Sequence, residues 1–361
     1  MLYSCKFGCG MIKCLHWERS LPVNKELREK IPVISFLMMI EVVLYHCESP
    51  SNEFAVSALD LKLNTAIDNF VTGVPCILCM SWFFAITGFL LFRNLSFQNL
   101  GSKIRTRIRT LLVPYLLWQI IYIVKSILQG NSWTLSDVFG QVFLLRIWPP
   151  LGAFWYIYTI FLFAVIFSPI FLLLFKNKKV GWFSALAMIL LLYIFWDTLY
   201  VGNGRFHYSG NIKMHFPAYV IGAYCGSLHQ KTGRDGILRC VAGFLAAAAL
   251  LDGLVENLLY NMTIATLPML ILFLIPVPEW SKNRSVYRCT FLIYATHQSL
   301  ISLFMGPIRQ TLYSLIPSAA VSNLFGRIFC ILLIIAVNMG IHGLMSRFAP
   351  RTLNVLTGGR C

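Results

Sequence analysis

Charged residues are scarce in this chain of 361 amino acids. Asp, Glu, Lys and Arg together make up 12% of it, whereas hydrophobic residues make up 58%. A soluble globular protein carries roughly 25% charged residues. The composition therefore excludes an ordinary soluble enzyme and favours a chain that exposes apolar side chains to lipid.

Acidic residues are the scarcer of the two charge types. The 14 Asp and Glu residues against 30 Lys and Arg residues give a formal net charge of +16. An excess of this size would allow nucleic-acid binding. The basic residues, however, stand in short clusters between long apolar runs rather than on a polar domain. We therefore expect no nucleic-acid partner.

Signal peptide, repeats and metal motifs are also missing. Residues 1–30 hold six basic and three acidic residues and no long apolar region, which predicts a cytoplasmic basic tail rather than a cleavable signal peptide. No internal repeat and no polar segment long enough for a soluble domain occurs. The N-terminal group Cys5, Cys9, Cys14 and His16 follows no zinc-ligand spacing, so we expect no metal site.

Apolar runs near 20 residues, the length of a helix that crosses a bilayer, recur along the chain. They predict an all-α, polytopic integral membrane protein with a transmembrane domain at 31–347 and a C-terminal tail at 348–361. About ten spans are expected, at roughly 31–49, 71–92, 110–129, 152–175, 181–200, 213–229, 237–255, 260–277, 289–306 and 325–346.

The positions of the basic residues orient these spans. Cytoplasmic loops of membrane proteins are enriched in Lys and Arg. With a cytoplasmic N-terminus, the ten spans place 23 of the 30 basic residues on the cytoplasmic side. Both termini are therefore predicted to be cytoplasmic.

Ionisable residues inside apolar spans are costly and become functional candidates. His46, at the outer end of the first span, could take a proton from a hydroxyl. Glu41 lies about 140° round the helix from His46, so we do not expect it to orient His46. The other candidates are His297 and Asp252. Each has an ordinary alternative: an interfacial histidine bonded to a loop for His46, and a packing residue for His297 and for Asp252.

The basic collar, Lys103–Arg109, leads into the third predicted span. Arg105 and Arg109 share one helical face, and Lys103 and Arg107 share another. Because guanidinium groups bind phosphate oxygens through paired hydrogen bonds, the collar could hold the phosphates of an acyl-CoA. It could equally be a topogenic cluster that contacts anionic lipid.

Aromatic side chains are predicted near the outer face. Such residues can stack on a sugar ring, but belts of Trp and Tyr at membrane interfaces are common. The residues are Trp133, Trp148, Trp155, Tyr156 and Tyr158.

Six short blocks carry a resemblance to a known family. They are His46 at the end of the first span, Trp82–Phe92, Arg105–Tyr115, Phe154–Ile157, Phe216–Gly222 and Phe291–His297. In this order, over about 31–347, they resemble the bacterial acyltransferase-3 family.

The resemblance implies a multi-pass enzyme of the bacterial inner membrane that moves an acyl group, usually acetyl, from cytosolic acyl-CoA to a hydroxyl of a cell-surface or lipid-linked carbohydrate. His46 matches the family's catalytic histidine, and His297 matches the histidine of its late Ile-Tyr-x-x-His block. Arg105, Arg107 and Arg109 match the basic loop associated with the donor. The implied partners are membrane lipid, a carbohydrate acceptor and acyl-CoA, with no tightly bound cofactor.

Two positions depart from the pattern of the family. Many members carry an arginine where this chain has Ser35, and an arginine and an aspartate soon after the tryptophan that matches Trp155, where this chain has Tyr158. Losing buried arginines would remove charge that neutralises an anionic donor or intermediate. The alternatives are an exopolysaccharide export component or transporter without the chemistry, and a structural membrane scaffold.

Overall fold

The computed structural model describes residues 25–47, 56–143, 149–200 and 209–360. Most of the predicted N-terminal tail, with Cys5, Cys9, Cys14 and His16, lies outside the described residues, as does Trp148.

Helices account for nearly all regular structure in the described residues, which contain no strand, in agreement with the predicted all-α class. They are α1 Lys25–His46, α2 Ala58–Thr72, α3 Val74–Phe92, α4 Leu100–Arg107, α5 Val113–Leu128, α6 Leu135–Val142, α7 Trp155–Leu174, α8 Lys178–Tyr200, α9 Ser209–Leu251, α10 Leu258–Leu274, α11 Thr290–Leu315, α12 Ala319–Phe348 and α13 Pro350–Leu356.

Among the described residues, six helical segments are long and apolar enough to cross a membrane. They are Ala58–Phe92, Leu100–Leu128, Gly152–Leu174, Lys178–Phe195, Ser285–Leu315 and Ala319–Phe348. The predicted count of ten is not confirmed, because α10 has only 17 residues and two predicted spans lie on the single element α9. This element bends at Gly233, whose φ of 62° and ψ of −161° are not helical.

Helices α3 and α9 form the centre of the bundle through direct backbone contact. A Cβ atom added at Gly88, Gly222 or Gly226 would lie within 2.5 Å of a backbone oxygen of the other helix. Small residues allow membrane helices to approach this closely. On α3, the fully buried Trp82 donates its indole N–H to Ser35 Oγ at 3.0 Å, which joins α1 to this centre.

A π-helical turn, Ile108–Leu112, connects α4 to α5. Within it the Val113 N–H bonds to the carbonyl of Ile108, five residues back. Pro114 has no N–H, so the carbonyl of Thr110 loses its usual helical donor. The basic collar therefore ends in a wider turn. The carbonyl of Thr110 is left for contact with another segment of the chain.

The predicted C-terminal tail forms a helix that packs against this turn. Residues of α13 lie against α5, where Trp118 donates its indole N–H to the carbonyl of Leu356 at 3.1 Å. Leu353 and Thr357 are buried. The segment 348–361 is thus an ordered part of the domain over its described residues, held by apolar burial and a backbone carbonyl.

The described parts of several loops predicted as cytoplasmic meet at one end of the bundle, called here the basic end. Three contacts join them: Gln230 to Asn94, Lys176 to the ring of Phe97, and Lys282 to Glu29. Lys282 also donates to Glu279, and this hydrogen bond raises the pKa of Lys282.

At the opposite end, α2 is fixed to α12 by two aspartates. Asp60 accepts from Ser318 Oγ at 2.5 Å and from the backbone N–H groups of Ala319 and Ala320, so it caps the N-terminus of α12. Asp68 pairs at 2.5 Å with Arg327, whose side chain is only 2% exposed. Removing Asp68 would leave the buried charge of Arg327 without its counter-charge, which is costly.

We expect the basic end to face the cytoplasm, because Lys and Arg are retained on that side during insertion. In a cysteine-free background, a Ser102→Cys variant should react with a membrane-impermeant thiol reagent only after the cells are lysed. Leu315→Cys, at the opposite end, is the matched control and should react in intact cells. Labelling at position 102 in intact cells would contradict the orientation.

The variant Asp68→Asn should destabilise the protein by about 3 kcal/mol, because it leaves the charge of Arg327 buried without a counter-charge. Thermal unfolding of the detergent-solubilised protein measures the loss. Asp235→Asn, at an exposed position of α9, is the control and should leave the unfolding midpoint unchanged. Equal midpoints for the two variants would show that the ion pair contributes nothing.

Candidate functional site

The two predicted site histidines meet inside the bundle. His46 is the last residue of α1, and His297 lies in the second turn of α11. Their ring centroids are 5.0 Å apart. The sequence indicated both residues, but the contact between them comes from the packing of α1 against α11.

The hydrogen bonding of His297 fixes its tautomer. Its Nδ1 lies 2.6 Å from the carbonyl oxygen of Tyr294. Because a carbonyl only accepts, Nδ1 carries the proton and Nε2 keeps its lone pair. No donor among the described residues bonds to Nε2, although His297 is fully buried. The carbonyl bond is the one expected of a packing histidine, yet Nε2 remains a base beside His46.

His46 opens onto a pocket of about 380 Å³, while His297 lies behind it. The imidazole of His46 is half-buried. The pocket is lined by His46, Gln298, Ile301, Ser302, Met305, Gly306 and Arg309. Its apolar and hydrogen-bonding groups together suit a ligand that carries hydroxyl groups.

Arg309 brings a positive charge to this pocket. Its Nη2 donates to the carbonyl of Cys47 at 3.4 Å, and its Nε is buried without a hydrogen-bond partner among the described residues. The sequence analysis missed Arg309 because it ended the ninth span at residue 306, whereas α11 continues to Leu315. The helical pattern beyond Pro307 was the available signal.

The segment before α7 enters the bundle and forms a wall beside the histidines. The backbone N–H of Ala153 bonds to Gln298 Oε1 at 3.4 Å, and Tyr294 donates its hydroxyl to the carbonyl of Ala153. The N–H of Leu151 bonds to Gln119 Oε1 at 2.9 Å. Helix α7 therefore begins within the protein.

Three of the predicted outer-face aromatic residues pack into this wall. Trp155, Tyr156 and Tyr158 are at most 9% exposed, so their side chains lie inside the bundle rather than in an exposed aromatic belt. The physical reason is that the segment before α7 folds onto α5 and α11. Trp133 is half-buried and donates its indole N–H to Ser126 Oγ.

The basic collar divides as its helical spacing predicts. Arg105 and Arg109 are exposed, whereas Arg107 is half-buried and interacts electrostatically with the phenols of Tyr156 and Tyr219. Only one of the three predicted donor-binding arginines is therefore directed into the bundle.

The remaining ionisable candidates lie apart from the histidine pair. Asp252 accepts the backbone N–H of Leu259 at 2.7 Å and supports the start of α10. This is the structural role given above as the alternative to a functional one. Glu41 interacts electrostatically with Cys76 on α3. A histidine that the sequence analysis missed, His215, is buried beside Ser81, with 3.1 Å between Nδ1 and Oγ. It stands near the predicted start of a span, where hydropathy gave no signal.

Neutral contacts occupy the two positions that depart from the family pattern. Ser35 accepts from Trp82, and Tyr158 donates to the carbonyl of Phe143 at 3.2 Å while its ring stacks on Tyr115. Half-buried positive charges belong instead to residues of other helices, Arg107 on α4 and Arg309 on α11. Among the described residues, no group of three or more His, Cys, Asp or Glu side chains could hold a metal ion.

The fold and the site define a polytopic membrane protein with a histidine pair beside an open pocket. A family model described as an acyltransferase domain matches residues 33–343. The chain belongs to the acyltransferase-3 family and is an enzyme that transfers acyl groups. No curated protein and no solved structure matches it. The family membership favours an enzyme over the export component, transporter or scaffold.

Proposed function

We propose that this membrane acyltransferase moves an acyl group, in the simplest case acetyl, from acyl-CoA to a hydroxyl of a cell-surface or lipid-linked carbohydrate. The proposed location is a bacterial inner membrane. The observation that carries the proposal is the pairing of His46 with His297 beside the pocket that His46 lines, in a chain of this family.

In the proposed reaction His46 is the general base. It removes the proton of the acceptor hydroxyl while the hydroxyl oxygen attacks the thioester carbonyl. A C–O bond forms, the C–S bond breaks, and the proton passes from His46 to the departing thiolate of CoA. The lone pair on His297 Nε2 supports His46 by stabilising the imidazolium that forms between the two steps.

Arg309 is the candidate for the oxyanion stabiliser of the reaction, which the sequence did not identify. Attack on a thioester carbonyl develops negative charge on its oxygen, and this charge needs a hydrogen-bond donor in place. Arg309 lines the same pocket as His46 and has a buried Nε without a partner among the described residues. It is therefore the proposed oxyanion stabiliser.

The two ends of the bundle are proposed to serve the two substrates. Acyl-CoA would enter from the basic end, where Arg107 is directed inward. The carbohydrate would approach the pocket of His46 from the end at which Asp60 caps α12. This arrangement requires the acyl group to pass between the helices, past the aromatic side chains of α7.

Replacing His46 with Ala should lower acyl transfer by about 10²- to 10⁴-fold, the usual contribution of a general base. The assay uses purified protein, radiolabelled acetyl-CoA and an extracted glycan. His297→Ala should cause a smaller loss, because His297 acts through His46. His342→Ala, on α12, is the control and should leave transfer unchanged. Full transfer by the His46→Ala variant would contradict the mechanism.

Replacing Arg309 with Gln should lower kcat by about 10²-fold, the usual effect of losing one oxyanion donor. The KM for acyl-CoA should change little, since the charge is used mainly after attack. Arg309→Lys keeps the positive charge and should recover part of the rate. A variant that unfolds at lower temperature with an unchanged kcat would show that Arg309 serves only packing.

A further inference from the structure

The last described residues of the chain return to the bundle at its basic end. After α13, Thr357 is fully buried, and Gly358 and Gly359 adopt φ values of 62° and 76°. These angles lie in the left-handed region that favours glycine. The backbone therefore turns sharply just before Arg360.

Gly358 packs onto the π-helical turn of the basic collar. A Cβ atom added there would lie 2.4 Å from the carbonyl oxygen of Thr110. This is the carbonyl whose helical donor is missing because of Pro114. The contact between this turn and Gly358 positions the C-terminal segment, and the packing of the segment therefore determines where Arg360 lies.

From this position, the side chain of Arg360 contacts aromatic side chains of the bundle. Its guanidinium carbon lies 4.6 Å from the centre of the Phe291 ring, in a cation–π contact. Its charge also lies within electrostatic range of the phenols of Tyr156 and Tyr294. Arg107 lies within the same range of Tyr156. Two guanidinium groups from distant parts of the sequence are thus near the same tyrosine.

Two separate guanidinium groups suit a ligand with phosphates at two positions. CoA carries a diphosphate and, at some distance from it, a 3′-phosphate. Arginine binds phosphate oxygens through paired, charge-assisted hydrogen bonds. The exposed side chain of Arg360 is accessible to such a ligand at the mouth of the basic end.

We propose that Arg360, carried by the C-terminal segment, binds a phosphate of the acyl-CoA donor together with Arg107. The proposal rests on the proposed function, which makes acyl-CoA the donor. It makes the segment after α13 a part of the donor site and gives Arg107 a different role from the exposed Arg105 and Arg109.

The test measures the Kd of CoA and of dephospho-CoA, which lacks the 3′-phosphate, for the full chain in phosphatidylcholine nanodiscs. Arg360→Gln and Arg107→Gln should each weaken CoA binding by about 10-fold, the effect of losing a hydrogen bond to a charged group. The control is Arg351→Gln, at an exposed position of α13, which should bind CoA as the parent does.

A second variant tests the contact between Gly358 and Thr110 that positions the segment. Gly358→Ala should weaken CoA binding as much as Arg360→Gln does, because the added Cβ would displace the segment from Thr110. Gly253→Ala is the control, since no atom lies within 4 Å of its added Cβ. If Gly358→Ala fails to fold, the exposed Arg360→Gln change still decides the question.

The outcomes separate this inference from the proposed function. A parent protein that binds no CoA would overturn acyl-CoA as the donor and the inference with it. A parent that binds CoA and an Arg360→Gln variant that binds it equally well would overturn the inference alone. The latter result is also the one expected of an arginine that contacts only lipid phosphate. A smaller difference between CoA and dephospho-CoA in Arg360→Gln than in the parent would assign this residue to the 3′-phosphate.

Discussion

The close backbone contact between α3 and α9 is the constraint on which the rest of the structure depends. Gly88, Gly222 and Gly226 have no side chain to separate the two helices. Around this contact, the side chains of α3 meet neighbouring helices: Trp82 meets α1, and Phe84 meets α7 and His215 of α9. Because α1 is fixed in this way, its last turn can hold His46 against α11. A site built from the end of one helix and an early turn of another depends on such rigid packing.

Three arginines of the bundle differ in what surrounds the guanidinium group. Arg327 is paired with Asp68 and serves to hold α2 on α12. Arg309 bonds a single carbonyl and lines a pocket. Arg107 has phenols around it. Because Arg309 lines a pocket and bonds only one carbonyl there, its charge is available to a negatively charged ligand or intermediate. Burial and partner together distinguish structural from functional arginines, and neither is visible in a count of basic residues.

In the histidine pair, a hydrogen bond within a helix determines the tautomer of a site residue. The bond from His297 Nδ1 to Tyr294 is the ordinary one of a histidine inside a helix bundle. Its consequence is that Nε2 keeps its lone pair on a ring whose centroid lies 5.0 Å from that of His46. One local hydrogen bond thus decides which nitrogen is the base. In the same way, the missing N–H of Pro114 leaves a carbonyl on which the glycines before Arg360 pack.

The sequence by itself determined the class of protein. Hydropathy and charge are local properties, so the all-helical membrane fold, the clusters of basic residues and the family could be derived from the residues in order. His46 and His297 could be singled out because ionisable groups are rare in apolar helices, whereas Arg107 was indicated only together with Arg105 and Arg109, as part of the basic collar. Only the tertiary structure placed the two histidines 5.0 Å apart, returned the segment before α7 to the interior, and brought Arg309 and Arg360 to pockets and aromatic side chains. These contacts join residues far apart in the chain. They depend on how helix surfaces fit together, and the order of residues along each helix does not specify that fit.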